Sequence, residues 1–132
     1  MTVDSDEPAG REIVVVVDDE PGICETLAEV FQDEGYTVHC APDGARALAL
    51  FKSLERRPCV VLLDLFMPIM DGNAVYEAMQ ADPALRDIAV VITTSDPSSA
   101  PAGVSIMKKP VSLKQLIETV HKCCRDSAHC GG

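Results

Sequence analysis

The run Ile13-Val14-Val15-Val16-Val17 ends in Asp18-Asp19-Glu20-Pro21, and a second run, Val60-Val61-Leu62-Leu63, ends in Asp64. Short unbroken apolar stretches of this kind, the first β-branched throughout, suit strands covered on both faces, as the strands of parallel sheets are. In an open parallel sheet the carboxyl ends of the strands share one edge, where ligands bind, so the acids that close these runs can converge on one point.

The rest of the chain fits that frame. Pro21 opens a helix whose apolar positions Ile23, Leu27, Val30 and Phe31 recur at helical spacing until Gly35, a C-terminal cap. Tyr36 to Ala41 reads as the second strand, and Pro42-Asp43-Gly44 as a turn. Ala47, Leu48, Phe51 and Leu54 give the next helix its buried stripe before Pro58 stops it. After Asp64 a loop through Pro68 and Gly72 leads to a helix with Val75, Ala78 and Met79 on one face. Strands follow at Ile88–Thr93 and Val104–Met107, and Ser112 with Gln115 forms a capping box for a last helix through Leu116, Ile117, Val120 and Cys124. Such alternation predicts parallel strands joined by right-handed crossovers, with helices on both faces of the sheet. One joint departs from it: Ser95 to Gly103 is short and carries Pro97 and Pro101, whereas a helical crossover needs at least about ten to twelve residues. A full helix is not expected there.

A length of 132 residues suits one domain with its own core. The expected organisation is an acidic, mobile leader over residues 1–11, a folded domain over 12–126 and a loose tail over 127–132. A formal net charge of −10 argues against direct nucleic-acid binding, which needs clustered Lys and Arg. The sequence carries neither a membrane span nor a signal peptide pattern, so the expected location is cytoplasmic. On that basis Cys24, Cys40 and Cys59 read as small buried hydrophobes, and no structural disulfide is expected.

Asp18, Asp19 and Asp64 at neighbouring strand ends would repel one another in a partly buried site, and a divalent cation would relieve that conflict. Oxygen ligands without nearby His or Cys suit Mg²⁺. The competing interpretation is that Asp18 and Asp19 only cap the following helix and favour its dipole. Lys109-Pro110 follows the last strand, so the Lys109 ammonium can reach the same edge and hold a carboxylate or a phosphoryl oxygen, and Thr94 can offer a hydroxyl there.

With these residues in view the chain resembles the receiver domains of two-component response regulators. The resemblance rests on Val-Val-Asp18-Asp19-Glu20-Pro21, Leu-Leu-Asp64-Leu-Phe66-Met67-Pro68-Ile-Met70-Asp71-Gly72, Thr94-Ser95 and Lys109-Pro110, in the family order from Ile13 onward. It implies a flavodoxin-like doubly wound sheet of five parallel strands in the order 2-1-3-4-5, in which the short Ser95–Gly103 joint leaves the fourth helix shortened or missing. It further implies that Asp64 is the phosphoacceptor for a histidine kinase or histidine phosphotransfer protein. Asp19, Asp64 and the backbone carbonyl of Phe66 would then bind Mg²⁺, with Asp18 acting directly or through water. Lys109 would neutralise the phosphoryl oxygens, and Thr94 would move to meet them. Pro68 would stiffen the loop, Gly72 would permit a positive backbone dihedral, and the peptide before Pro110 is often cis in such proteins.

The chain departs from the family at several places. Ile106 stands where receivers usually carry an aromatic residue three positions before the lysine, which puts a coupled threonine and aromatic rotation in doubt. A disorder-to-order change in Ser95–Gly103 would replace it. Phe66 is expected to shield an acyl phosphate from water. His121, Cys123, Cys124, His129 and Cys130 match no zinc spacing, so helical packing of Cys124 and a loose tail are expected. Met67, Met70 and Met79 read as packing. The expected role is therefore a stand-alone phosphoacceptor that signals by protein contact to an unknown target and is not a true enzyme. The alternatives are a degenerate receiver used as a binding scaffold and an aspartyl-nucleophile phosphohydrolase.

Overall fold

The structure, a computed structural model, describes residues 12–67 and 70–131, with side chains described as far as Arg125. The expected leader 1–11, Pro68 and the side chains of His129 and Cys130 lie outside the described residues. The elements follow in chain order: β1 Ile13–Val17, α1 Pro21–Asp33, β2 Thr37–Ala41, α2 Gly44–Ser53, β3 Val60–Asp64, α3 Gly72–Ala81 and β4 Ala89–Thr94. A single 3-10 turn at Pro97–Ser99, then β5 Ser105–Lys108 and α4 Leu113–Gly131, complete the chain. All strand pairs are parallel, and the sheet order is β2-β1-β3-β4-β5. This is the doubly wound architecture that the alternation of the sequence predicts, with strand limits shifted by a residue at β2, β4 and β5.

The sheet divides the apolar side chains into two cores because side chains alternate along a strand. Ile13, Val15 and Val17 of β1 join Val61, Leu63, Val75, Met79 and Ile92 under α2 and α3. Val14 and Val16 join Phe31, Val60, Leu62, Leu116 and Val120 under α1 and α4. Every residue of β1 and of β3 is buried, which accounts for their unbroken apolar sequence. Met67 and Met70 pack against the first core and Met79 lies within it.

Local signals account for the helix ends. α1 begins with proline in its first turn and ends in a left-handed Gly35 at φ 98°, where the Tyr36 N–H reaches Phe31 O and the Gly35 N–H reaches Gln32 O. Asp43 and Asp71 cap α2 and α3 by accepting from the backbone N–H of Arg46 and Ala74. Ser112 Oγ accepts from the Gln115 N–H at the start of α4. The backbone of α4 is helical as far as Gly131, across the segment where the sequence reading places a loose tail. No glycine or proline interrupts the chain between Leu113 and Cys130.

The structure departs from the sequence expectations at four places. Gly72 does not adopt a positive φ, since the described glycines with positive φ are Gly35 and Gly103. Its role is close approach, because a Cβ there would lie 2.6 Å from Asp64 O and 2.8 Å from Leu65 Cα. Ile23 is exposed, on the wall of an open crevice between α1 and the start of α4. Cys40 is exposed near the end of β2 instead of buried. Cys59 and Cys124 are joined in a disulfide, where none is expected from the sequence. Cys59 enters β3 on the face that α4 covers, and Cys124 lies on the buried stripe of α4 four residues after Val120, so the two are neighbours in the second core.

Candidate phosphoacceptor site

Strand ends assemble the site. Asp64 is the last residue of β3, and Asp18 and Asp19 directly follow β1, its hydrogen-bonded neighbour. Lys109 directly follows β5 and is positioned by its own N–H, which donates to Thr94 O at 2.8 Å, and it precedes a cis peptide bond to Pro110. The Leu65 N–H donates to Thr93 O, which holds the chain after Asp64 against β4.

The arrangement gathers three carboxylates around one amine. One oxygen from each of Asp18, Asp19 and Asp64 lies within 4.8 Å of the others, with Asp18 and Asp64 buried and Asp19 exposed. Lys109 Nζ donates to Asp64 Oδ1 at 3.1 Å and stands 3.7 Å from Asp18 Oδ2. Asp18 Oδ1 accepts from the Glu20 N–H at 3.0 Å. The N-cap of α1 is Glu20, whose own side chain makes no capping hydrogen bond, and Asp18 reaches only the Glu20 N–H, ahead of the first turn.

Burial pushes the Asp64 carboxyl above its ordinary value, and the charges of Asp18 and Asp19 push the same way, against the hydrogen bond and charge of Lys109. For Lys109, burial alone would lower the ammonium, but the hydrogen bond to Asp64 and the charges of Asp64, Asp18 and Glu20 outweigh it and carry it up. Both partners of the ion pair therefore shift upward. Geometry resolves the apparent conflict, since the lysine faces several acids whereas Asp64 faces one cation and two like charges.

Thr94 is fully buried, but its hydroxyl is engaged with Asp96. Oγ1 accepts from the Asp96 N–H at 3.0 Å and reaches Asp96 O at 3.4 Å, so it does not serve Asp64 in this state. The segment expected to be irregular is in fact locally built. Asp96 accepts from the N–H and hydroxyl of Ser98 and from the Ser99 hydroxyl, and these bonds hold its carboxyl below the ordinary range. Asn73 Nδ2 on α3 donates to Ser99 O at 3.1 Å. Phe66, two residues after Asp64, leaves its ring about half exposed, and Ile106 is exposed on β5.

Beside the acids lies a crevice of about 700 Å³ between α1 and the start of α4, bordered by Asp18, Glu20, Ile23, Lys109, Leu113 and Leu116. Its apolar wall escapes the sequence reading because helical spacing assigns Ile23 to the core, and only exposure in the fold reveals otherwise. The exposure of Leu113 in the first turn of α4 is equally invisible in the pattern.

A family model described as response regulator receiver domain matches residues 14–121. The DNA-binding response regulator MtrA of Mycolicibacterium smegmatis is 32% identical over 115 residues, which is 83% of this chain and 49% of that protein. The chain thus spans about half the length of this curated relative. Among solved structures, the signal receiver domain of a signal transduction histidine kinase from Syntrophus aciditrophicus superposes with a TM-score of 0.78 at 27% identity, covering 87% of this chain and 91% of that one. The response regulator protein TrrA from Thermotoga maritima, in complex with Mg²⁺ and BeF, gives 0.73 at 29% identity, covering 85% and 98%. Five parallel strands in this order, closed by an acidic edge and a lysine, define a receiver fold, and the chain belongs to the response regulator receiver domain family of two-component systems.

Proposed function

We propose that this chain is a phosphoacceptor receiver in which Asp64 takes a phosphoryl group from a phosphohistidine donor and the charged product is read by protein contact. The observation that supports it best is Asp64 buried at a strand end, hydrogen-bonded to Lys109 and flanked by Asp18 and Asp19. A carboxylate so placed is a nucleophile held in one orientation, and the ammonium beside it lies where negative charge gathers on the phosphoryl oxygens.

In the transfer, an Asp64 oxygen forms a bond to phosphorus while the bond from phosphorus to the donor imidazole nitrogen breaks. The electron pair leaves with that nitrogen, which takes up a proton. Lys109 stays between the acceptor and Asp18 and offsets the charge of the incoming group. Crowded carboxylates with all-oxygen donors fit a hard divalent cation, so Asp19, Asp64 and the Phe66 carbonyl would hold Mg²⁺ directly, with Asp18 direct or through water. The metal would supply charge neutralisation at the phosphoryl oxygens. Thr94 would complete the site after release from Asp96, which makes its present hydrogen bonds the contact to be broken.

Under this reading the protein works as a signalling module in the cytoplasm, its donor is a histidine kinase or phosphotransfer protein, and its target is a protein. Among the described residues no helix is long and apolar enough to cross a membrane. Aspartyl-nucleophile phosphohydrolases commonly place an acid two residues after the nucleophile, and Phe66 occupies that place. Incubation with radiolabelled acetyl phosphate and Mg²⁺ tests the proposal. The expected label is released by neutral hydroxylamine, as an acyl phosphate is, and is absent in Asp64→Asn. Label that resists hydroxylamine would overturn it.

A further inference from the structure

At the opposite end of the sheet from the acids, two cysteines join elements far apart in the chain. Cys59 directly precedes β3, where its N–H donates to Ile13 O at 2.8 Å, and Cys124 lies on the inner stripe of α4. Their sulfurs are bonded across a sequence separation of 65, with Cα atoms 4.9 Å apart, inside the normal range for a disulfide. The two residues are only 3% and 4% exposed. One turn before Cys124, the His121 ring bridges the Tyr36 hydroxyl at Nδ1 and Glu34 Oε1 at Nε2, the latter at 2.9 Å. A carboxylate only accepts, so in the neutral ring Nε2 donates to Glu34 and Nδ1 accepts from Tyr36. The outer half of α4 is therefore fastened by a covalent tie to the start of β3 and by a polar tie to the joint between α1 and β2, while its first turn borders the crevice beside Lys109.

We propose that Cys59 and Cys124 are a reversible thiol–disulfide site whose redox state sets how firmly α4 is held to the sheet. The proposal stands apart from the phosphoacceptor reading. Starting from the dithiol, one thiolate attacks a low-molecular-weight disulfide and releases one small thiolate, leaving a mixed disulfide on the protein. The second protein thiolate then attacks the protein sulfur of that intermediate, closes the Cys59–Cys124 bond and expels the second small thiolate. The two protein thiols lose two electrons and two protons, the small disulfide gains the electrons, and the protons end on the released thiols. Because neither sulfur is exposed, each exchange step requires α4 to lift, and closing the bond then holds the helix down. The cysteine pair also has a carboxylate neighbour, since an oxygen of Glu12 lies within 4.8 Å of both sulfurs, so the reduced pair presents ligands that suit zinc.

The test equilibrates the full chain in glutathione buffers of graded ratio, quenches with acid, alkylates in denaturant and reads intact mass and peptide maps. The expected result is a transition in which two of the six cysteines escape alkylation and map to Cys59 and Cys124. Amide exchange over residues 113–125 should slow roughly tenfold in the oxidised protein. Alkylation of all six at every ratio, a link between other cysteines, or equal exchange in both states would overturn the proposal. So would stoichiometric zinc binding by the reduced protein that Glu12→Gln abolishes, which would make the pair a metal site. Cys124→Ser should match the reduced wild type, and the comparison of oxidised with reduced wild type decides the matter even if that variant does not fold.

Discussion

Lys109 Nζ is shared between Asp64 Oδ1 at 3.1 Å and Asp18 Oδ2 at 3.7 Å, so one ammonium balances two buried carboxylates that stand at the ends of adjacent strands. One positive charge among three acids leaves the site overloaded with negative charge in the absence of a cation.

That imbalance predicts opposite effects of one substitution in two conditions. Asp18→Asn keeps the oxygen that accepts from the Glu20 N–H and removes a like charge, so in EDTA it should stabilise the fold by about 1 kcal/mol. In millimolar Mg²⁺ the wild type should gain several degrees in Tm, because a ligand that binds only the folded state stabilises it, and the variant should lose most of that gain. Thermal melts in EDTA and in Mg²⁺ check both halves.

Gly72 lies under the chain at Asp64, and a methyl group there would meet Asp64 O at 2.6 Å. Gly72→Ala should destabilise the protein by roughly 1–3 kcal/mol, since the obstacle is backbone and has no rotamer to give way. Urea unfolding measures it, with an unchanged m-value expected.

Phe66 follows Asp64 by two residues and leaves its ring about half exposed; if that ring shields an acyl phosphate on Asp64, a polar residue there should admit water. Phe66→Asn should shorten the lifetime of the phosphorylated form by roughly an order of magnitude, the scale of effect that one positioned polar group has on such a step. The decay of intact phosphorylated mass after removal of the donor gives the rate, and an unchanged lifetime would assign the ring to surface packing alone.

The Cys59–Cys124 bond closes a loop of 65 residues, which in the chain-entropy description stabilises the fold by on the order of 4 kcal/mol. Unfolding in urea with and without reductant should show a loss of that order, and equal midpoints would mean that the bond does not form in solution.

Alkaline pH should weaken the fold through Cys24 and Tyr36. Burial, together with the neighbouring Cys40 and Asp18, pushes the Cys24 thiol from 9.0 up to about 12, and burial with the charges of Glu12 and Glu34 raises Tyr36. Both groups are easier to ionise in the unfolded chain. Their contribution is therefore complete below about pH 9 and is lost as pH rises from 9 towards 12. Equilibrium unfolding across that range should show falling stability, with a smaller slope in Cys24→Ala.

The sequence was most informative where residues are constrained from both sides. β1 and β3 are the central strands, covered on both faces, so their apolar runs admit one interpretation, and the acids that close them fall on the ligand-binding edge by geometry alone. The shortened joint before β5 was equally legible from its length and prolines, and the structure has a single 3-10 turn there. What stayed hidden depends on contacts across the fold. The Cys59–Cys124 bond and the Tyr36–His121–Glu34 bridge join residues 65 or more positions apart, which no local pattern encodes. The hydroxyl of Thr94 was expected at the acceptor, but a partner two residues away, the Asp96 backbone, holds it in this state. Gly72 was correctly singled out for the wrong reason, since close approach and positive φ leave the same residue in the sequence.

The measurement that bears most directly on the account is intact mass after incubation with phosphoramidate. In Mg²⁺ the wild type should gain the mass of one phosphoryl group, while in EDTA it should gain none, and Asp64→Asn should gain none in either. A wild type that stays unmodified in Mg²⁺, or an Asp64→Asn variant that is modified to the same extent, would contradict the assignment of Asp64 as the acceptor.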